Sequence, residues 1–424
     1  MKRPEPRNYW LDTVRFPAGF EGPLPAQIDV AVIGAGFTGL SAALQLARKG
    51  ATVAVLEAHS IAWGASSRNG GMVLTGTKLP IDVLLRRYGR ELAGRMYLAS
   101  LDAIDFVETC VQEEAIDCNF VRCGHLEVAS KPAHFDGYQR SAELLQNEFG
   151  HDITLIAHAD LAEEIGSGIY HGGLVDPLSA GINPARFAAG IARAAMSAGA
   201  LIYEKARALG IEGRKLHTTR GNITAKEIVI ATGAYTSAAT PTLHRRIVPV
   251  GSFIIATERL SESLARQLNP RGRMIFDSMR YLHYFRLTPD CRVLFGGRAA
   301  FFPEDENTLR RSAAILARDL VRTYPQLAQT AIEYAWGGTL DFCFDSMPHV
   351  GTIGGLHYAA GFAGHGVAMA SYLGAQIAWK ISGDKTGSPF QQIPCPGAPL
   401  GFYNGIPWFL PFAGAWYKIL DWVS

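Results

Sequence analysis

Residues Val30 to Ala43, V-A-V-I-G-A-G-F-T-G-L-S-A-A, pass from β-branched apolar positions through a glycine loop into small helix formers, predicting strand, loop and helix in that order. A second apolar run, Thr52–Leu56, predicts the next strand. Past Pro80 the pattern changes, with apolar residues at helical spacing from Leu92 to Glu114 and an alternating segment at Leu126–Ala129. Asn183-Pro184 opens a predicted helix over Arg186–Ala198, and Leu201–Tyr203, Ile211–Leu216 and Glu227–Ala231 read as strands. Strand-like runs then dominate, at Gly251–Thr257, Tyr281–Leu287 and Arg292–Phe295, before predicted helices at Glu306–Tyr324 and Val367–Ile381. The order implies a nucleotide-binding portion that the chain leaves and re-enters, with a separate substrate-facing portion between.

From Thr386 to Tyr417 there is no charged residue or histidine, which raises the question of a membrane. Prolines at 389, 394, 396, 399, 407 and 411 exclude a spanning helix there, because each leaves backbone groups that lipid cannot satisfy. An aromatic strap over the folded body is the expectation for Ile406–Trp422.

Composition narrows the class. Hydrophobic content of 48% and charged content of 18% are those of a globular protein, and a net charge of +2 with scattered basic residues offers no field for nucleic acid. The first ten residues carry positive charge and two prolines without an apolar stretch, so no secretory signal is read and a cytoplasmic location is expected. Six dispersed cysteines suit reduced thiols. Cys118 and Cys123 have C-x4-C spacing but lie far beyond the first glycine loop, where a redox pair is not expected.

The glycine loop has a specific use. Gly34 permits the tight turn, Gly36 lets the backbone approach a phosphate, and Gly39 allows close helix packing, while the helix N-terminus offers free N–H groups. Glu57, about 20 residues on, is placed to accept ribose hydroxyls. These features do not separate NAD from FAD. The segment G-A-S-S-R-N-G-G-M, Gly64–Met72, is small enough to pass a flat ring closely, with Arg68 and Asn69 able to reach phosphate or ring polar atoms. A late turn, G-F-A-G-H-G at Gly361–Gly366, precedes a helix whose positive end suits the pyrimidine edge of an isoalloxazine.

Together with A-T-G-A (Ala231–Ala234), Y-F-R-L-T-P-D (Tyr284–Asp290) and W-G-G-T-L-D (Trp336–Asp341), these motifs resemble the FAD-dependent D-amino-acid oxidase superfamily from about Asp29 to Gly383. The branch is that of glycine oxidase, sarcosine oxidase and γ-glutamylputrescine oxidase, and the S-R-N-G-G form and prolyl, aromatic tail are most similar to the last. The resemblance implies an α/β fold: a discontinuous Rossmann-type FAD-binding domain (28–90, 166–245 and 335–390) and an α+β substrate domain (91–165 and 246–334) whose mainly antiparallel sheet covers the flavin. Residues 1–27 become an N-terminal extension and 391–424 an apolar strap. It further implies oxidation of a C–N bond of a primary or secondary amine, hydride passing to flavin N5, hydrolysis of the imine to a carbonyl, and dioxygen as acceptor. An amine dehydrogenase using a quinone or carrier protein, and a flavin-binding protein without turnover, stand as alternatives. Oligomeric state is not read.

Several positions depart from the family. Leu340 falls where glycine oxidase has a carboxylate-binding arginine, Ala368 where sarcosine oxidase has a second cation, and Leu294 where it has an oxygen-activating lysine. An amine without an adjacent carboxylate, or a larger substrate with its acid group farther away, therefore fits better than a small α-amino acid. Cys343 lies one residue from the attachment cysteine of sarcosine oxidase, so non-covalent FAD is expected.

The cofactor-contact set taken from this resemblance is Gly34, Gly36, Phe37, Thr38, Gly39, Glu57, Ala58, Gly64, Ala65, Ser66, Ser67, Arg68, Asn69, Gly70, Gly71, Met72, Ala208, Ala231, Thr232, Gly233, Gly338, Leu340, Gly361, Gly364, His365, Gly366, Val367 and Ala368. Candidates for the chemistry are Asp341, to orient the amine or cap a loop; His283 or Tyr284, of which alternation lets only one face the flavin; and His365. Arg298 is weighed as an anchor for a distant acid group. No metal ligands are expected.

Overall fold

A computed structural model describes residues 5–297, 305–384 and 387–423; Arg298 lies outside the described residues. The fold is α/β, built among the described residues on two large sheets and a small one that pairs Met72–Val73 with Ala180–Gly181. In the first, Val30–Ile33 and Val53–Leu56 are apolar at every position, as strands covered on both faces must be. They belong to Gln27–Ile33 and Val53–Leu56, which pair in parallel and continue to Leu201–Tyr203 on one side and Gly221–Ile230 on the other. Beyond these come a hairpin, Ala208–Glu212 with Lys215–Thr218, and a second, His349–Ile353 with Leu356–Ala360. The helix Phe37–Arg48 covers one face and is itself packed by Gly366–Ile381, where a Cβ on Gly374 would come within 2.2 Å of the Thr38 carbonyl. Only glycine allows the two backbones to approach so closely.

The second sheet has nine strands in the order Glu5–Pro6, Ile332–Cys343, Ile247–Thr257, Val293–Gly297, His283–Leu287, Met274–Asp277, His125–Val128, Gly172–Asp176 and Thr154–Ala157. All its pairings are antiparallel except those of Glu5–Pro6 with Ile332–Cys343 and of Met274–Asp277 with His125–Val128. One face is sealed by the helix Glu306–Thr323, through Phe253, Ile255, Phe285, Phe295, Leu316 and Leu320.

The sheets divide the chain elsewhere than the expected boundaries. Gly172–Asp176 and the whole of Ile332–Cys343 lie in the nine-stranded sheet, while Ala93, Met96, Ala103 and Ile104 of the helix Ile81–Glu113 pack in the core around Phe37–Arg48. An apolar stripe shows that a helix is buried and does not show against which sheet. The expected single strand Ile211–Leu216 is two strands, because Gly213, at φ +59°, opens a two-residue turn. The helices Pro132–Phe149 and Leu410–Val423 were not expected. The apolar tail is only partly a strap: Phe390, Ile393, Cys395 and Tyr403 are buried, but Phe402, Ile406, Trp408, Phe412 and Trp416 face outward. Among the described residues no helix is long and apolar enough to cross a membrane.

His283 is on the sealed face. Its Nδ1 lies 3.0 Å from Asp277 Oδ2 and its Nε2 3.3 Å from Asp319 Oδ2. Burial opposes its charge, but the two carboxylates prevail and raise it from 6.5 to about 9. A raised value stabilises the fold fully below about pH 6.5, and the contribution is lost as pH rises through about 9, on the order of 3 kcal/mol in all. The melting temperature should therefore fall across that interval, and His283→Gln should flatten the fall while lowering stability at neutral pH; a wild-type curve flat over the interval would contradict the ion-pair assignment.

Candidate active site

The glycine loop at the end of Gln27–Ile33 is shaped by contacts no side chain tolerates. Gly34 has φ +104°, and a Cβ there would stand 2.7 Å from the Ala231 carbonyl; one on Gly39 would stand 1.9 Å from the Gly34 carbonyl, and one on Gly36 2.9 Å from Ser66 Oγ. The helix Phe37–Arg48 starts at Gly36 without a side-chain cap, and the Phe37 amide donates to Ser66 Oγ at 2.9 Å. Glu57 accepts the amides of Ala35 at 2.8 Å and His59 at 2.9 Å, which fixes its carboxylate beside the loop with further lone pairs to offer.

Gly64–Met72 crosses between the two sheets with little regular structure, and side chains from elsewhere satisfy its carbonyls. Asn8 Nδ2 donates to Ser67 O at 2.8 Å, Trp336 Nε1 to Arg68 O at 3.0 Å, Trp10 Nε1 to Asn69 O at 2.8 Å, and Arg286 Nη1 to Gly71 O at 2.7 Å. Asn69 braces the loop from within, giving Nδ2 to the carbonyls of Ala65 and Ser66 and taking the Gly71 amide on Oδ1. Arg68 donates to the carbonyls of Trp63 and Gly337 and lies over the Trp63 ring. The N-terminal segment, expected only as an extension, is thus part of the loop's support.

A cavity of about 360 Å³ follows. Of the expected contacts it is lined by Gly34, Gly36, Phe37, Thr38, Glu57, Ala58, Gly64, Ala65, Ser66, Asn69, Ala208, Ala231, Thr232, Gly233, Leu340, Gly364, Gly366 and Val367, and by Asp341. Gly39, Ser67, Arg68, Gly70, Gly71, Met72, Gly338, Gly361, His365 and Ala368 stand behind or beside this lining. Ser67 is fully buried and its hydroxyl closes on the Ala62 carbonyl, so it shapes the turn. Trp63, Arg207 and Thr236 also line the cavity, and no motif pointed to them; Thr339, inside W-G-G-T-L-D, lines it too although it was not among the expected contacts.

The unsealed face of the nine-stranded sheet looks toward the loop. Trp336, Ile254, Gly296, Tyr284, Phe276 and Glu127 stand opposite one another across six strands and share that face. Tyr284 packs under Gly70, where a Cβ would meet its ring at 3.0 Å, and its hydroxyl lies 3.1 Å from Ser252 Oγ. The choice left open by alternation is settled: Tyr284 faces the loop, and His283 is removed from the candidate chemistry because Asp277 and Asp319 hold it on the opposite side. Glu127 was missed, since nothing in H-L-E-V marks which position faces a site. Burial pushes its carboxyl up to about 7 against the nearby Tyr138 hydroxyl and Lys78 ammonium.

Asp341 also changes role. Its Oδ2 accepts the Gly361 amide at 2.7 Å and its carbonyl accepts the Ala363 amide at 2.9 Å, so it clasps the late loop, its capping alternative. Burial raises its carboxyl to about 6, with the loop amides pulling the other way. His365 precedes the helix Gly366–Ile381; its Nδ1 is enclosed with no hydrogen-bond partner among the described residues, and burial followed by the Lys78 charge lowers it to about 3, leaving a neutral imidazole at pH 7. Leu294 is fully buried with Trp10, Ile254 and Trp336. Cys343 Sγ lies 3.6 Å from Cys395 Sγ, and all six cysteines are free, Cys118 and Cys123 included.

Comparison with known proteins agrees with this architecture. The FAD dependent oxidoreductase family matches residues 29–379. The chain is 32% identical over 399 residues to the γ-glutamylputrescine oxidoreductase of Escherichia coli, covering 93% of this chain and 92% of that protein. It is 33% identical over 391 residues to the probable oxidoreductase OrdL of Haemophilus influenzae, covering 89% and 88%. The crystal structure of glycine oxidase from Geobacillus kaustophilus superimposes with a TM-score of 0.73 at 21% identity, over 87% of this chain and 99% of that one. With the glycine loop, its acid and the two-sheet arrangement in place, the chain belongs to the FAD-dependent oxidoreductase family.

Proposed function

We propose that this chain oxidises the C–N bond of a primary or secondary amine with FAD held non-covalently, in the manner of the γ-glutamylputrescine oxidoreductase it resembles, and with dioxygen as acceptor. Two observations support an FAD fit. Glycines at 34 and 39 let the turn and helix pack against backbone so closely that the helix start stays open, and His365 Nδ1 is a buried polar atom with no hydrogen-bond partner among the described residues, at the start of the late helix. Cys343, turned onto Cys395, favours a cofactor without a covalent bond. A bound FAD would supply the acceptor for a hydride from the carbon beside nitrogen, and hydrolysis of the imine would give the carbonyl.

The observation that carries the amine reading is the composition of the wall. Leu340 lines the cavity, Ala368 is buried, and Arg286 on the loop-facing side is spent on the carbonyls of Gly71, Ile182 and Leu287. A substrate carboxylate next to the reacting carbon would find no cation at the Leu340 and Ala368 positions. Tyr284 and Ser252 supply neutral hydroxyls, and Glu127 supplies an acid that receives a cationic amine and orients it. The acceptor has a second reading: Leu294 is apolar and buried, and the outward Phe402, Trp408, Phe412 and Trp416 suit a protein or quinone that removes electrons.

Mixing the holoenzyme anaerobically with a panel of amines tests the reading. Bleaching of the flavin band near roughly 450 nm by amines lacking an α-carboxylate is expected, with its return in air marking an oxidase. Bleaching by glycine and sarcosine alone would refute it. Because Glu127 ionises near 7, kcat/KM should rise with pH through about 7, and Glu127→Gln should abolish that limb and raise KM more than it lowers kcat. Trp10→Phe keeps the ring but leaves the Asn69 carbonyl unanswered. It should weaken FAD retention by about tenfold, measured by ultrafiltration.

A further inference from the structure

Outside the flavin site, three side chains from separate segments converge in the core. They are Cys343 at the end of Ile332–Cys343, His349 at the start of His349–Ile353, and Cys395 in the tail. The two Sγ atoms and one ring nitrogen of His349 all lie within 4.8 Å of one another, and all three residues are buried.

The surroundings of His349 are the informative part. Its Nε2 lies 3.0 Å from Asp345 Oδ1, and its Nδ1 lies 3.4 Å from the Ile393 carbonyl. A neutral imidazole has one N–H; in the tautomer that gives it to the Asp345 carboxylate, Nδ1 keeps its lone pair. In that tautomer the lone pair and the Ile393 carbonyl, 3.4 Å apart, can share a cation between them. A ligating histidine characteristically gives its other N–H to a carboxylate, as Nε2 does here.

Two of the spacings match those of a tetrahedral ion. Two thiolates each about 2.3 Å from zinc are about 3.8 Å apart, and a nitrogen and an oxygen each about 2.1 Å from it are about 3.4 Å apart. The observed separations are 3.6 Å between the sulfurs and 3.4 Å between His349 Nδ1 and Ile393 O. Charge balances as well: two thiolates and Asp345 carry three negative charges, against two on the ion and one on Arg246, whose guanidinium donates to the Cys395 carbonyl.

We propose that Cys343, Cys395, Nδ1 of His349 and the carbonyl of Ile393 form a structural site for a thiophilic divalent cation of the zinc class, with Asp345 orienting the histidine. The ion fastens the tail to the strand that carries Leu340 and Asp341. It lies behind the late loop, since a Cβ on Gly361 would stand 2.6 Å from Cys343 Sγ. It takes no part in amine oxidation.

Metal analysis of the holoenzyme, purified without chelator or immobilised metal and then loaded with zinc and desalted, should show one zinc per chain. The Cys343 and Cys395 thiols should resist native alkylation until a chelator is added. Cobalt in place of zinc should show ligand-field bands to the red of the flavin absorption, and Cys395→Ser should remove them. Zinc below about a tenth of an equivalent after loading overturns the assignment. So does a Cys343–Cys395 disulfide in peptide mapping, or alkylation of both thiols that zinc does not slow. Metal content and peptide mapping are read on the unaltered chain, so the assignment stands or falls whether or not the variant folds.

Discussion

A buried loop is possible only if its backbone groups find partners, and Gly64–Met72 meets this requirement by borrowing them. The carbonyls of residues 67, 68, 69 and 71 are satisfied by Asn8, Trp336, Trp10 and Arg286, none of which belongs to the parallel sheet. An unsatisfied buried carbonyl costs about 1–3 kcal/mol, so losing these partners together would leave the loop no stable path between the sheets. The pocket wall is therefore a joint product of both sheets and the N-terminal segment.

The nine-stranded sheet separates stability from chemistry by face. Along His283–Leu287, successive residues point to opposite sides: His283 bridges Asp277 and Asp319 under the helix Glu306–Thr323, while Tyr284 reaches Ser252 and the loop. The sealing face can tolerate a buried charge because two carboxylates answer it. The facing side holds the Tyr284 and Ser252 hydroxyls, the high-lying acid Glu127, and an Arg286 whose donors are taken up by backbone carbonyls.

What could be read in the sequence was what is local. Gly34, Gly36, Gly39 and Glu57 serve a turn and a helix start built from some thirty consecutive residues, and each sits where that logic requires. Period-two alternation narrowed the strand to His283 or Tyr284, but the decision came from Asp319, on a helix whose placement no pattern fixes. Asp341 was legible as a polar residue by the late loop, and its partner, the Gly361 amide, appears only when strand and loop meet. Glu127, Trp63 and Arg207 carry no motif. Their roles arise from register and from the packing of distant segments, as does the meeting of Cys343, His349 and Cys395.

The dependence of the loop on Asn8, Trp10, Arg286 and Trp336 bears on how the molecule matures. Arg286 and Trp336 reach the loop across more than two hundred positions of chain, and the glycine turn at Gly34 likewise packs on the distant Ala231 carbonyl. Contacts of such separation form late. The loop wall is therefore the part of the cleft most exposed to a fault in closing the chain, since two of its supports, Arg286 and Trp336, come from segments that meet it only across the whole fold.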